Sequence, residues 1–151
     1  MALSIEDERQ ITAVINNYSK GIDTRDYELF RSCFADVIEA DYGAPDGSIW
    51  RSGAAITEFM RQHHRYMGFT LHRNSNITLE ADGDGARGRV YVDALLMSSK
   101  GTLGMRAVGW YDDEYARVAG SWKLRKRKFQ LVLNEGPWMS SPTFGPGPDG
   151  D

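Results

Sequence analysis

His72 is the residue of this chain best placed for proton chemistry, because of the segment it occupies. Across residues 69–80, alternation puts Phe69, Leu71, Ile77 and Leu79 on one face and Thr70, His72, Asn74, Asn76 and Thr78 on the other. A polar row on a core strand faces either solvent or a polar cavity. In a cavity, a neutral imidazole is a base suited to pH 7. A carboxylate on its other ring nitrogen would fix the tautomer and stabilise the imidazolium that forms. His63 and His64 fall on a helical stretch and read as surface or packing residues. Arg127 lies in Arg125-Lys-Arg-Lys128. Such a run usually marks a solvated edge strand, yet alternation sets Arg125, Arg127, Phe129 and Leu131 on one face, as beside a pocket. Asp93 shares its parity with Tyr91, Leu95 and Met97, which is compatible with a cavity wall. No three side chains have the spacing of metal ligands, so no metal is expected.

Elements must hold these groups in place. Ser4–Lys20 is predicted as an amphipathic helix, with Ile5, Ile11, Val14, Ile15 and Tyr18 at near-helical spacing and acids crowding its first turn. Gly21 is expected to end it. A short helix over Tyr27–Cys33 follows, then a strand over Phe34–Tyr42, a turn at Gly43–Gly47 and a return strand at Ser48–Arg51. Ser52 would cap a third helix over Gly53–Tyr66. Phe69–Glu80, Ala86–Ser98, Leu103–Tyr115 and Trp122–Leu133 read as strands joined by turn signals. Helices first and a strand meander last indicate α+β. Residues 1–135 form the expected domain. The Pro/Gly-rich tail, 136–151, is expected to lack regular structure and to be disordered or draped over a partner or a pocket mouth.

A chain of 151 residues suits one hydrophobic core. With 41% hydrophobic and 26% charged residues, its composition is that of a soluble globular domain rather than a disordered one. The net charge of −3 offers no basic footprint for nucleic acid. Cys33 is the single cysteine, which excludes a disulfide within the chain. The start, MALSIEDERQ, has neither the basic region nor the apolar run of a signal peptide, and no stretch reaches transmembrane length. A cytoplasmic protein with no membrane partner is therefore expected.

The element order, together with Tyr18-Ser-Lys-Gly-Ile-Asp23, Phe34-Ala-Asp36, His72-x-x-x-Asn76, Tyr111-Asp-Asp-Glu-Tyr115 and Gly120-Ser-Trp122-Lys-Leu-Arg-Lys-Arg127, resembles the SnoaL-like branch of the NTF2-like superfamily. The resemblance implies a cone-shaped α+β barrel, a curved sheet closed by three N-terminal helices, whose open end holds a ligand. That superfamily includes scytalone dehydratase, the bile-acid 7α-dehydratase, ketosteroid isomerase, polyketide cyclases, a hexachlorocyclohexane dehydrochlorinase and noncatalytic subunits, so fold alone does not choose the function. By similarity to the dehydratase and dehydrochlorinase members, His72 and Asp23 would form a base dyad. Taken alone, Asp23 reads rather as the cap of the second helix, and His72 as a core or surface histidine. Tyr18-x4-Asp23, with Tyr42 near the end of the first strand, is similar to the scytalone and bile-acid dehydratases, whose tyrosines donate to a substrate carbonyl or a water. Such donors stabilise an enolate, although both positions also suit core tyrosines. Arg127 matches the dehydrochlorinase arginine that assists the leaving group, and Asp93 falls near an aspartate of the bile-acid enzyme. The catalytic lysine of the dehydrochlorinase has no match here.

The expectation is a cofactor-free dehydratase for a hydroxylated cyclic or polycyclic, steroid- or polyketide-like substrate. Phe34, Phe59, Met60, Leu95 and Met97 would form its apolar walls, with Asp93 among the substrate contacts. An isomerase or polyketide cyclase, or a noncatalytic ligand-binding or assembly subunit, would use the same fold. The resemblance also implies a homodimer or homotrimer.

Overall fold

Helix α1 (Ile5–Thr24) buries Ile11, Ile15, Tyr18 and Ile22 along one stripe, and Ser4 caps it by accepting from the Asp7 N–H at 3.1 Å. These features belong to a computed structural model that describes residues 2–101 and 103–136. The tail expected over 136–151 lies outside the described residues, apart from Gly136. Gly21 does not end α1. A Cβ there would stand 2.7 Å from the Phe30 backbone nitrogen, so this glycine serves a close helix crossing and the helix runs on for another turn. Arg25, at φ 61°, then breaks it in the left-handed region. Helix α2 (Tyr27–Ser32) takes its cap from Asp26, which accepts from the Leu29 N–H at 3.0 Å. Asp23 is therefore released from the capping role that the sequence also allowed it.

Strand β1 (Phe34–Asp41) pairs antiparallel with the short β2 (Trp50–Ser52), after which Ser52 caps α3 (Gly53–His64). The rest is a meander of β3 (Met67–Asp82), β4 (Gly85–Ser98), β5 (Gly104–Val118) and β6 (Ser121–Glu135). The six strands lie in the order β2-β1-β6-β5-β4-β3, with β1 and β6 the one parallel pair. The α+β cone is thus present, but its sheet is not closed into a barrel. It ends at β2 and β3, and α1, packed on β3 and β6, closes the inner face together with α3.

Three irregularities decide which side chains point inward. In β3 the register shifts between Ser75 and Thr78, with Asn76 at φ 48°. Before this bulge Thr70, His72 and Asn74 face the core; after it Ile77 and Leu79 do, and Thr78 is exposed. The polar row read from the sequence is therefore only half as long as simple alternation implies. Phe69 and Leu71 lie on the outer face, Phe69 at 89% exposure. In β6 the register shifts between the pairs Glu114–Lys126 and Tyr115–Leu124. Trp122 and Leu124 are buried before it, Arg127 after it, and Arg125 is exposed. A further shift opposite Val108 and Gly109 leaves Leu131 exposed. Arg125 and Leu131 thus do not share a buried face with Arg127.

The bulge at Asn76 requires a left-handed backbone that a β-branched residue resists. Asn76→Val should lower stability by about 1–2 kcal/mol, and Asn76→Gly by less than about 0.5 kcal/mol, in urea unfolding.

Candidate active site

The extra turn of α1 carries Asp23 to the inner edge of β3. Its Oδ2 accepts from the His72 backbone N–H at 2.7 Å, and its Oδ1 lies 2.7 Å from the His72 Nδ1 and accepts from the Thr70 hydroxyl at 3.0 Å. Burial works against the charge on Asp23, but the ring, backbone and hydroxyl bonds outweigh it and hold the carboxyl below its usual range. A carboxylate can only accept, so the neutral His72 carries its proton on Nδ1 and its lone pair on Nε2. Both side chains are largely enclosed, at 13% and 15% exposure. Arg25 braces the junction, donating to the Ile22 and Gly68 carbonyls and to the Thr70 hydroxyl. Nothing in the residues around Arg25 marks it for this role in advance.

His72 lines a cavity of about 90 Å³ under α1 and α3. Tyr18 and Tyr42 enter it as a hydroxyl pair, Oη to Oη 3.0 Å, and burial holds both phenols above their ordinary range. One proton can lie between the two oxygens while the other remains for a third acceptor. The apolar walls come from Val92, Ala94 and Leu96 of β4, with Met60 and Phe129. His64 also lines the cavity and is 2% exposed, with its Nδ1 3.0 Å from the Met60 carbonyl. Burial, followed by the charge of Arg25, pushes its pKa down to about 4, so it is neutral at pH 7. Its spacing on α3 marks His64 as packing or surface and carries no sign of a cavity that depends on β3 and β4.

The other expected site residues divide. Met60 lines the cavity as expected. Phe34 is buried behind it, with its ring centroid 5.9 Å from that of Tyr18. Phe59 stacks on Trp50 and His63 outside it. Asp93, Leu95 and Met97 are on the opposite face of β4 from Val92, Ala94 and Leu96, so they do not reach the cavity. Asp93 instead accepts two bonds from Arg106 and one from Arg73 on the outer face, and these hold its carboxyl below the usual range. Arg127 is buried but does not line the cavity. Its Nε and Nη2 donate to both oxygens of Asp113, at 2.8 and 2.7 Å, and Tyr115 donates to Asp113 as well. Asp113 and Tyr111, whose ring lines the cavity, were present in the sequence only as part of a family pattern. A larger open hollow of about 680 Å³ at the far end of the sheet is lined by exposed pairs such as Arg87–Glu80 and Arg89–Asp112. Those pairs are partly exposed, so solvent screens them.

Residues 3–128 match the SnoaL-like domain family, and the chain belongs to it. Rv2910c of Mycobacterium tuberculosis (strain H37Rv), described only as uncharacterized, is 26% identical over 124 residues, spanning 82% of this chain and 84% of that protein. Among solved structures, a candidate scytalone dehydratase from Novosphingobium aromaticivorans DSM 12444 has a TM-score of 0.78 at 23% identity, covering 87% of each chain. Hexachlorocyclohexane dehydrochlorinase LinA-type3 from Novosphingobium barchaimii LL02 has a TM-score of 0.73 at 18% identity, covering 87% of this chain and 90% of its own. At these identities the structural likeness establishes the NTF2-like fold; it does not carry a substrate across.

His64 gives the site a pH signature. Its folded pKa, about 4, lies below the unfolded value of 6.5, so the unfolded chain takes up a proton first and stability falls as pH drops between those values. Urea unfolding at pH 7 and pH 5 should show the parent losing about 2 kcal/mol more than His64→Gln over that interval.

Proposed function

We propose that this protein is a cofactor-free lyase of the dehydratase type. The observation that carries the reading is the 2.7 Å contact between His72 Nδ1 and Asp23 inside a cavity that also holds the Tyr18–Tyr42 hydroxyl pair. His72 Nε2 takes a proton from a carbon next to a carbonyl, and Asp23 stabilises the imidazolium. The tyrosine hydroxyls donate to the carbonyl oxygen as it becomes an enolate. When the enolate collapses, the β-carbon–oxygen bond breaks, a carbon–carbon double bond forms, and the imidazolium returns its proton to the departing hydroxide as water. Asp93 and Arg127, expected at the leaving group from the sequence, are held by other partners and do not touch the reacting atoms.

The cavity limits what can react. About 90 Å³ is less than the roughly 150 Å³ of an apolar cavity that binds benzene. It holds the reacting edge of a ring, with the rest of a steroid- or polyketide-like compound at its mouth, rather than a whole fused-ring body. The substrate class that fits best is a hydroxylated cyclic ketone reacting through one ring.

A second reading keeps the proton abstraction and drops the elimination. Among the described residues, the cavity offers no acid dedicated to a leaving group, because Asp93 faces outward and Arg127 is held by Asp113. That favours an isomerase or cyclase, in which nothing leaves.

Single-ring β-hydroxy ketones, beginning with 3-hydroxycyclohexanone, test both in D2O. The lyase reading expects enone absorbance to grow as one hydrogen leaves the carbon next to the carbonyl and none is gained there. His72→Ala and Asp23→Asn should each lower kcat/KM by about 10²–10⁴-fold. Full turnover in either variant contradicts the dyad, and exchange without loss of oxygen supports the isomerase reading.

A further inference from the structure

The Arg127 guanidinium sits between two rings that line the cavity. It lies 4.3 Å from the Tyr18 ring centroid and 3.8 Å from that of Tyr111, with the residue 2% exposed. The two bonds to Asp113 fix its plane and keep it from turning toward the cavity. Among the described residues its Nη1 makes no hydrogen bond, so the charge is satisfied on the Asp113 edge and bears on the rings elsewhere. A buried ion pair with well-packed apolar surroundings is seldom worth keeping for stability alone.

We infer that Arg127 is a positioning residue that acts through Tyr18, making the Tyr18–Tyr42 pair a stronger donor to any oxygen that gains negative charge in the cavity. As a phenol yields its proton to such an oxygen, negative charge spreads from the phenol oxygen into its ring. A cation over the ring face stabilises that charge, and the dry surroundings strengthen the coupling. Burial is the main influence on Tyr18 and raises its proton affinity; Arg127 opposes burial, and Asp113 weighs less in the other direction. Tyr42 shares the effect through its 3.0 Å contact with Tyr18. Arg127 thus serves the oxyanion end of the cavity and touches no substrate atom.

The inference rests on reading the cavity as a site for an oxygen that gains charge, but not on which bond breaks there, so it is tested by binding without turnover. The probes are 4-nitrophenolate and nitrobenzene, one-ring ligands that differ by the oxyanion, titrated calorimetrically at pH 8.5. The parent should bind 4-nitrophenolate at least about tenfold more tightly than nitrobenzene. The double variant Arg127→Met/Asp113→Leu removes both charges together and leaves no lone buried carboxylate. It should lose about tenfold in 4-nitrophenolate affinity and little for nitrobenzene. Introduced into Tyr18→Phe, the same double change should cost less than about twofold, since the coupling runs through Tyr18. A purely structural pair would weaken both ligands alike, in both backgrounds. A parent without the oxyanion preference, a double variant that keeps it, or a loss that persists in full without Tyr18 overturns the inference. If the double variant does not fold, the parent decides: 4-nitrophenolate should move the Tyr18 Cζ NMR signal toward its phenolate position, and an unmoved signal contradicts the proposal. Failure of the His72 turnover experiment with this coupling intact, or the reverse, separates the two readings.

Discussion

Everything in the site depends on one carboxylate that ties the end of a helix to the backbone and the side chain of a strand. Asp23 accepts from the His72 N–H, the His72 ring and the Thr70 hydroxyl, all within 3.0 Å. Hydrogen bonds to a charged group contribute about 1.5–3 kcal/mol each, and more is lost when one partner is left unpaired in a dry place. The same contacts that orient the imidazole therefore also hold α1 against β3. That requirement explains Gly21: only a residue without a Cβ lets α1 pass Phe30 closely enough to continue to Thr24 and deliver Asp23. Arg25 completes the junction by turning the chain in the left-handed region and spanning back to Gly68. The same few side chains thus orient the imidazole and join α1 to β3.

Charge is distributed on two levels around the cavity. Groups that touch it are neutral or paired: His64 is kept neutral by burial, the phenols keep their protons, and His72 is matched to Asp23. The strongest buried pair, Arg127 with Asp113, lies one layer behind, against the rings rather than in the open volume. Such an arrangement leaves the cavity mostly apolar, with a few polar groups at its wall. The outer face of the sheet behaves differently. There Asp93 joins Arg73 and Arg106, which solvent screens.

Long, strongly patterned features were legible in the sequence. The apolar stripe of α1, the caps at Ser4 and Ser52, and the hairpin turns around Gly83 and Gly120 led to the α+β order directly, because each is set by local chemistry. Family spacing then brought His72, Asp23, Tyr18 and Tyr42 together; His72 touches Asp23, and Tyr18 touches Tyr42 in the cavity that His72 lines. What failed was parity. A bulge costs one residue and reverses every side chain beyond it, and nothing in Asn76 or Arg125 alone announces one. Asp93 failed for a related reason: Leu95 and Met97 made its face look like a wall, yet the smaller Val92 and Ala94 are the ones that leave room for a cavity. His64 and Asp113 were hidden because their burial is created by distant strands, not by their neighbours in the chain.

The central claim is that Asp23 holds His72 with its proton on Nδ1, leaving Nε2 as the base that faces the cavity. Nitrogen-15 NMR of the histidine side chains in the parent protein at pH 7.5 tests this most directly. The account predicts that His72 shows a protonated Nδ1 and a bare Nε2, and that Asp23→Asn disturbs this ring more than those of His63 and His64. A His72 found with its proton on Nε2, or a ring indifferent to the loss of Asp23, would contradict it.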